Sequence, residues 1–404
     1  MRIPELLAPA GNYEKLKTAI HYGADAVYMG LSQFSLRAKA DNFTLEELQK
    51  AVQLVRASGK KFYVTINIFP HNKDIEPIKE HLGSLGEIRP DALIISDPGV
   101  FDMASKILPD TPVHVSTQAN ITNYRSAAFW EKLGAKRLIL SRELTIGEIR
   151  QIRDYVSIEL ECFVHGSICI SYSGRCYMSS FLANRSGNLG ECTNSCRWSF
   201  TLMEETRKRE YFPVYENDRG TYILSSKDLC MIEHLDKLAD AGVDSFKIEG
   251  RMKGINYLAG VIKTYRKAVD SLKERPYRVR EQWLRELSMF SSRGFTTGMF
   301  LGRQPDNGYN HDEHEINKMG HELVGVVRSV RNGKAVISLR SSLKIGDHIE
   351  FLSDGLEHKD FEVTEMYDEE ADPLESARNE DTVLLPVQRG VRENDLVRRP
   401  LKHS

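Results

Sequence analysis

Short apolar runs typical of buried strands alternate with amphipathic segments from the beginning of the chain, and this alternation constrains the fold more than any other feature. We predict eight strands, at residues 5–8, 24–29, 62–68, 92–96, 113–116, 137–140, 158–163 and 245–248. Repeated strand–helix units with right-handed crossovers predict an α/β protein whose strands close into a (β/α)8 TIM-like barrel, rather than an open doubly wound sheet.

The segments between these strands carry helix signals. After the second strand, Leu45, Leu48 and Val52 recur at helical spacing. Thr44 can cap the first turn and Gly59 can end the helix. No G-x-G-x-x-G follows a strand and no G-x-x-x-x-G-K-[ST] occurs, so a dinucleotide fold loses its main support and ATP-driven chemistry on a P-loop is excluded.

The length of 404 residues predicts two domains. We place the barrel domain at residues 1–302, with a cysteine-rich insertion at about 163–244 that is too long for one strand–helix connection and is therefore expected to be functional. A polar linker follows at 303–320. Short alternating runs such as KAVISL at 334–339 predict a small C-terminal β-barrel domain over 321–404.

The charge of the whole chain is nearly balanced, with 55 Lys and Arg against 57 Asp and Glu, which argues against a general polyanion binder. Residues 247–285 depart from this balance, with eleven Lys or Arg against four Asp or Glu. They form either a solvated helix face or a surface for nucleic-acid phosphates, with the candidate contacts Lys263, Arg266, Lys267, Lys273, Arg275 and Arg278. Neither a signal peptide nor an apolar stretch of about 18 residues occurs, which predicts a cytoplasmic protein without a membrane partner.

Polar residues lie around the predicted strands, and active sites of barrels form at the carboxyl ends of the strands. We therefore predict a polar mouth that contains Glu5, Asn67, Asp97, Ser116, Thr117, Gln118, Arg142, Glu143, His165, Lys247, Glu249 and Arg251. The candidate substrate-binding residues among them are Gln118, Arg142, His165, Lys247, Glu249 and Arg251.

Five of the six cysteines lie within 35 residues, and the sixth follows in the same predicted insertion: Cys162, Cys169, Cys176, Cys192, Cys196 and Cys230. Clustered thiols in a cytoplasmic protein indicate metal binding or catalysis rather than disulfides. Zinc and an iron–sulfur cluster both accept four thiolates, and the wide spacing favours the cluster. A cysteine nucleophile near His165 is the alternative. Cys162 lies within an apolar strand and is predicted to be a core residue.

Motifs over essentially the whole chain resemble those of the collagenase-like peptidase family U32. The most specific is ECFVHGSICISYSGRCYMS at 161–179. Further matches are ELLAPAG at 5–11, ADAVYMG at 24–30, STQAN at 116–120, CTNSCRW at 192–198, FKIEGR at 246–251 and RGFTTG at 293–298.

The resemblance implies a function that composition and spacing do not reach. Branches of the family resemble oxygen-independent hydroxylation factors with a [4Fe-4S] cluster, and the ligands fall by position on Cys169, Cys176, Cys192 and Cys230. Cys196 is a candidate to replace one of them. The branch with RGFTTG and a C-terminal β domain implies 5-hydroxylation of the wobble uridine of tRNA with prephenate as co-substrate. The resemblance transfers no catalytic residue.

The two carboxylates of prephenate favour Arg as a partner, and Arg142 and Arg251 both follow predicted strands. The expected partners are tRNA and prephenate, with an electron donor or a second subunit as further candidates. Two alternatives stay open: a cluster-bearing factor that hydroxylates ribosomal RNA or a ubiquinone precursor, and a collagenase-like peptidase.

Overall fold

The computed structural model describes residues 2–31, 34–36, 42–169, 171–198, 216–217, 220–221, 227–291, 294–302, 320–353, 360–387 and 389–401. The strands described before residue 300 are β1 (Glu5–Ala10), β2 (Ala26–Gly30), β3 (Lys61–Ile66), β4 (Ala92–Ile95), β5 (Val113–Val115), β6 (Arg137–Ile139), β7 (Glu159–Ser167), β8 (Glu216–Asn217), β9 (Gly220–Thr221), β10 (Asp228–Cys230), β11 (Ser245–Ile248) and β12 (Phe295–Thr296). The described helices are α1 (Tyr13–His21), α2 (Leu45–Ala57), α3 (Ile75–Ile88), α4 (Pro98–Ile107), α5 (Tyr124–Lys132), α6 (Ile146–Tyr155), α7 (Met178–Ala183), α8 (Leu235–Asp240), α9 (Ile255–Asp270) and α10 (Glu281–Ser288).

The strands β1 to β7 and β11 form a closed parallel barrel. They pair in chain order, and β11 pairs with both β7 and β1, which closes the sheet. This confirms the predicted (β/α)8 TIM-like barrel, with each predicted strand present and its ends shifted by a few residues at most. Among the described helices, none combines the length and apolarity that a membrane crossing needs.

Local sequence explains how the units form. Thr44 and Glu47 make the reciprocal capping box that begins α2, and Gly59, with φ of 65°, lies just beyond its end. Thr145 and Glu148 begin α6 in the same way. Along β1, Leu6 faces the helices in the main core, and Leu7 faces the interior of the barrel with Tyr28 and Tyr63 on neighbouring strands.

The insertion differs from its predicted extent of 163–244. β7 continues to Ser167, and β10 returns antiparallel to it with Cys230 opposite His165. α8 then occupies the position of the barrel helix that precedes β11. The insertion therefore begins after β7 and contains α7, whereas Cys230 belongs to the barrel sheet.

The C-terminal domain is a small antiparallel β domain, as the alternating runs predict. Its strands are β13 (His321–Arg331), β14 (Lys334–Leu339), β15 (Leu343–Lys344), β16 (His348–Phe351), β17 (Asp360–Glu362), β18 (Ser376–Ala377), β19 (Thr382–Pro386) and β20 (Leu396–Pro400). Six of them form one sheet in the order β17-β16-β20-β13-β14-β19, over a separate apolar core. Of the predicted linker at 303–320, only Gly320 lies within the described residues.

Buried polar contacts fix this domain to the outside of the barrel. The guanidinium of Arg398 donates to both carboxylate oxygens of Glu286, a buried residue of α10, at 2.6 and 3.1 Å. Lys263 Nζ on α9 donates to the carbonyl of Ser353 at 2.6 Å. On α1, His21 Nε2 lies 2.7 Å from Asp395 Oδ1. The domain therefore contacts the first helix of the barrel and the last ones at the same time.

Candidate functional site

A pocket of about 270 Å³ opens at the carboxyl ends of the barrel strands. All six candidate substrate-binding residues line it: Gln118, Arg142, His165, Lys247, Glu249 and Arg251. Three members of the predicted polar mouth do not line the pocket: Glu5, Asp97 and Glu143, which accepts a hydrogen bond from the Ser173 amide. Glu5 begins β1 and so lies at the amino end of the barrel. Asp97 caps α4 by accepting hydrogen bonds from Gly99 N and Val100 N.

Arg251 presents a fixed guanidinium to the pocket. Its Nη1 donates to Ser35 Oγ at 2.6 Å, and its Nη2 donates to Asn42 Oδ1. Gly30 makes this position available, because a Cβ atom at residue 30 would overlap the guanidinium nitrogens. The Arg251 side chain is buried, so its planar fork is oriented before any ligand arrives. Such a fork suits a carboxylate or a phosphate.

Lys247 provides a second buried cation, at the floor of the pocket. Its Nζ donates to Glu161 Oε1 at 2.9 Å and lies over the rings of Tyr28, at 4.5 Å, and Phe163, at 5.3 Å. Glu161 is fully buried. The ammonium is thus held by one carboxylate and two aromatic faces, and its remaining side faces the pocket.

A charged network continues from Glu161 through the interior of the barrel. Arg137 Nη1 donates to Glu161 at 2.9 Å and to Glu5 at 2.7 Å, while Arg137 Nη2 donates to Glu159 at 2.6 Å. Burial works against the charge of Arg137, but these carboxylates outweigh it and raise the arginine pKa above its ordinary value. Glu5 in turn accepts a hydrogen bond from Tyr63 Oη at 2.8 Å.

His165 is a neutral imidazole at the pocket wall. Burial lowers its pKa to about 4, because nothing compensates fully for the lost hydration of the cation. Its Nδ1 lies 3.3 Å from Tyr265 Oη, and Tyr257 and Phe295 pack against the ring. At neutral pH this side chain can therefore donate or accept one hydrogen bond without adding charge.

Glu249 supplies the carboxylate of the pocket. Tyr28 Oη donates to Glu249 Oε2 at 3.1 Å, and Tyr257 Oη donates to the Glu249 carbonyl at 2.9 Å. The same carbonyl approaches Gly166, whose φ is 106°, so closely that a side chain there would overlap it. A glycine at 166 is therefore required for β7 and the end of β11 to meet at the site.

The insertion is docked on the rim beside Arg142. Arg142 Nε donates to Ser173 Oγ at 3.3 Å, and the Ser173 amide donates to Glu143 at 2.8 Å. Gly174, with φ of 74°, packs directly on the Gln118 carbonyl, where any side chain would overlap the backbone. These contacts hold the segment that carries the cysteines against the pocket.

The predicted cluster ligands occupy different places around this rim. Cys169 and Cys192 line the pocket, and Cys176 lines a neighbouring depression. Cys230 lies on β10 with its Sγ 3.7 Å from Tyr265 Oη, and burial raises its pKa to about 11. Within the described part of the chain, no three His, Cys, Asp or Glu side chains are close enough together to share a metal ion.

The chemistry of the donor set nevertheless suits a soft metal centre. None of the six cysteines forms a disulfide. Asn194 N donates to Cys192 Sγ at 3.4 Å, and Ser179 Oγ approaches the same sulfur at 3.8 Å, so polar groups already surround this sulfur. Cys162 is different: it is buried in the core as predicted, and burial raises its pKa far above the ordinary value.

The later part of the basic segment, around Lys273 and Arg275, lies at the other end of the barrel from the pocket. Arg275 pairs with Asp240 at the end of α8 at 2.7 Å, and Lys273 and Arg275 lie beside Ile3, which precedes β1. Lys263 must be removed from the predicted phosphate contacts, because it is buried against Ser353 of the C-terminal domain.

The other cations of this segment remain candidates for phosphate contacts, but they differ in how far nearby carboxylates already compensate their charge. Arg266 donates to Asp25 and Asp270, both at 2.7 Å, which compensates much of its charge. Lys267, Lys273 and Arg278 are exposed, and their contact with phosphates stays a prediction.

The sequence patterns do not identify Glu161, Arg137 or Tyr28 as site residues, although these residues hold the pocket floor. One signal exists: Glu159 and Glu161 alternate in a strand whose intervening residue is apolar, which is typical of side chains that face a barrel interior. Which cation pairs with each carboxylate is not contained in the spacing.

Comparison with known proteins assigns the chain to a family. Peptidase family U32 matches residues 11–310, and the Peptidase family U32 C-terminal domain matches residues 319–398. The chain is similar to tRNA hydroxylation protein P1 of Bacillus subtilis, with 38% identity over 93% of this chain and 90% of that protein. It is also similar to tRNA hydroxylation protein P of Escherichia coli, with 37% identity over 87% and 86%.

A relative with a different name matches over a comparable length. The protein named collagenase of Porphyromonas gingivalis is 31% identical over 97% of this chain and 96% of that protein. The chain belongs to peptidase family U32.

Proposed function

We propose that this member of peptidase family U32 hydroxylates tRNA, at carbon 5 of the wobble uridine, with prephenate as co-substrate. The similarity to proteins named tRNA hydroxylation protein, over 87–93% of the chain and both domains, is the observation that carries the proposal. The expected location is the cytoplasm, where tRNA is found.

The pocket suits a nucleobase that leaves the stack of the anticodon loop. Enzymes that act on a base read it inside a closed site through hydrogen bonds to its edge and stacking on apolar walls. Here Tyr28, Ile94 and Phe163 provide apolar walls, while neutral His165 and the amide of Gln118 provide polar groups that do not require a charged base.

The cations of the pocket suit the two carboxylates of prephenate. Arg251 is the fixed fork, Arg142 is the rim cation beside the insertion, and Lys247 lies at the floor. A bidentate arginine–carboxylate contact contributes roughly 1.5 to 3 kcal/mol. Glu249 opposes a misplaced carboxylate by repulsion, which helps to orient the donor.

We assign the iron–sulfur cluster to Cys169, Cys176, Cys192 and Cys230. Two of these thiols, Cys169 and Cys192, already line the pocket, and the Asn194 amide donates a hydrogen bond to Cys192 Sγ. Binding of the cluster then requires Cys176 and Cys230 to turn towards the pocket from their present contacts. A bound cluster would supply electrons or a Lewis-acidic iron beside the substrate.

Mass spectrometry of bulk tRNA tests the function. Cells that lack this protein and any oxygen-dependent route to the same nucleoside should lose 5-hydroxyuridine and its derivatives, and the wild-type gene should restore them. Complementation with Arg251→Ala should give an intermediate level, because the fork is lost but the cysteines remain. Persistence of the nucleoside in the deletion strain would refute the proposal, and loss of a ribosomal RNA modification, of ubiquinone or of peptide cleavage would identify which alternative is correct.

A further inference from the structure

A second depression adjoins the pocket, and we call it the flanking groove. It has a volume of about 610 Å³, and Gln118 forms part of both walls. Its other lining residues include Phe69, Trp130, Arg175, Tyr177 and Asn188. The flanking groove therefore combines aromatic faces, two amide side chains and one cation, and only the Gln118 side chain separates it from the pocket.

Backbone contacts hold the flanking groove in shape. Arg175 N donates to the Tyr172 carbonyl at 2.9 Å, which closes a turn around Gly174. Gly174 packs on the Gln118 carbonyl. On the opposite side, Phe69 N donates to the Asn188 carbonyl at 3.1 Å. These contacts anchor the backbone of both walls to the barrel rim.

The segment that borders the flanking groove exposes large aromatic rings to water. Tyr172, Tyr177 and Phe181 are 63%, 73% and 79% exposed, respectively. Residues 171–185 also contain two arginines, Arg175 and Arg185, and no Asp or Glu. Exposed rings with nearby cations and no carboxylates are complementary to single-stranded nucleic acid, in which bases offer faces and phosphates offer negative charge.

We propose that the flanking groove binds the nucleotide next to the one in the pocket, with its base stacked on Tyr177 and its phosphate near Arg175. This inference rests on the proposed function. A base that enters the pocket leaves its neighbours in the chain at the rim, and the neighbour on the Gln118 side meets the flanking groove first. A protein partner could also contact exposed rings, but continuity with the pocket favours the RNA strand that enters it.

The test measures binding of the full-length, iron-loaded protein to a fluorescent anticodon stem–loop RNA. Two further RNAs lack the base immediately 5′ or immediately 3′ of the wobble uridine. The protein variants are Tyr177→Ala, Tyr177→Phe and Arg175→Ala, and the control is Tyr155→Ala. Tyr155 is similarly exposed, at 60%, but lies on α6 and stacks on Tyr124 away from the flanking groove. Iron content is measured for each variant, because Tyr177 follows Cys176.

Tyr177→Ala should weaken binding of the intact RNA by about 5- to 150-fold, while Tyr177→Phe and Tyr155→Ala keep wild-type affinity. One of the two abasic RNAs should bind the wild-type protein with an affinity reduced by a similar factor. With that RNA, Tyr177→Ala should cause no further loss of affinity. Arg175→Ala should reduce the slope of log affinity against log salt by about one.

Two failures are distinguishable. If the wild-type protein neither binds the stem–loop nor hydroxylates tRNA, the proposed function is wrong. If the wild-type protein does both, two results would overturn only the flanking-groove inference. Either Tyr177→Ala binds the intact RNA normally, or the affinity lost through Tyr177→Ala adds to the affinity lost with each abasic RNA. The exposed rings would then belong to a protein contact.

Discussion

Removal of the Glu161 carboxylate alone should destabilise the barrel more than removal of both Glu161 and its partner Lys247. Glu161 is 0% exposed and accepts hydrogen bonds from Lys247 and Arg137, both at 2.9 Å. In Glu161→Leu, Arg137 keeps its contacts with Glu5 and Glu159. Within the described residues, the buried ammonium of Lys247 keeps only the two ring faces.

The expected cost follows from that uncompensated charge. Removal of one partner of a buried ion pair lowers the free energy of unfolding by about 3 to 5 kcal/mol. The cation–π contacts of Lys247, worth about 2 kcal/mol each, already exist in the wild type, so they do not offset this loss in the variant. In Glu161→Leu/Lys247→Met both charges are gone, so the unfolding free energy should return to within about 1 kcal/mol of wild type. The two variants share the leucine, which makes the double variant the matched control.

Urea unfolding followed by circular dichroism measures both free energies, on protein purified without oxygen. The reasoning is refuted if Glu161→Leu loses less than about 1 kcal/mol, or if the double variant is as unstable as the single one. The double variant should also bind prephenate more weakly, because it lacks the Lys247 cation at the pocket floor, although its stability is restored; this separates stability from function.

Three other changes test the site and the domain contact. Gly30→Ala should displace the guanidinium of Arg251 and weaken prephenate binding in calorimetry by roughly 1.5 to 3 kcal/mol, as Arg251→Ala does; unchanged affinity would contradict the role of the fork. Burial alone would raise the pKa of the Glu350 carboxyl, but its histidine and arginine neighbours lower this pKa from 4.5 to about 2. The ionised carboxylate therefore contributes its full stabilisation above pH 4.5, and this stabilisation is lost as the pH falls through about 2. Unfolding free energies measured between pH 5 and 2.5 should therefore fall more steeply in the wild type than in Glu350→Gln. Cys230→Ala should lose bound iron and Cys196→Ala should keep it; the reverse iron contents would overturn the ligand set.

The fold could be predicted in detail because its signals are local. The strand at 245–248 has the predicted bounds, and α2 begins and ends at its capping residues. β10 escapes such reasoning because three residues, Asp228 to Cys230, carry too little pattern to distinguish a strand from a loop. Its pairing with β7 is a long-range contact, and this is why Cys230 was expected inside the insertion.

The site could be predicted in its members but not in its pairings. Residues that follow parallel strands meet at one end of the barrel, so Arg251 and Lys247 could be placed at the mouth. The partner of each cation depends on three-dimensional proximity, as the contact of Lys247 with Glu161 shows. Charge counting also cannot reveal that Lys263 is covered by a second domain, because α9 is buried on a face that an isolated barrel would expose to water.

The position of the C-terminal domain has a mechanical consequence for the pocket. The first and last strands of the barrel, β1 and β11, pair at a seam that no short connection bridges, so only contacts through space hold this seam together. The domain contacts α1 on one side of this seam, through Asp395, and α9 on the other side, through Ser353. Contacts on both sides oppose opening of the seam, because separation of β1 from β11 would also require the domain to detach from α1 or from α9. Lys247 lies on β11, directly at the seam, so a domain that does not line the pocket holds the pocket floor together.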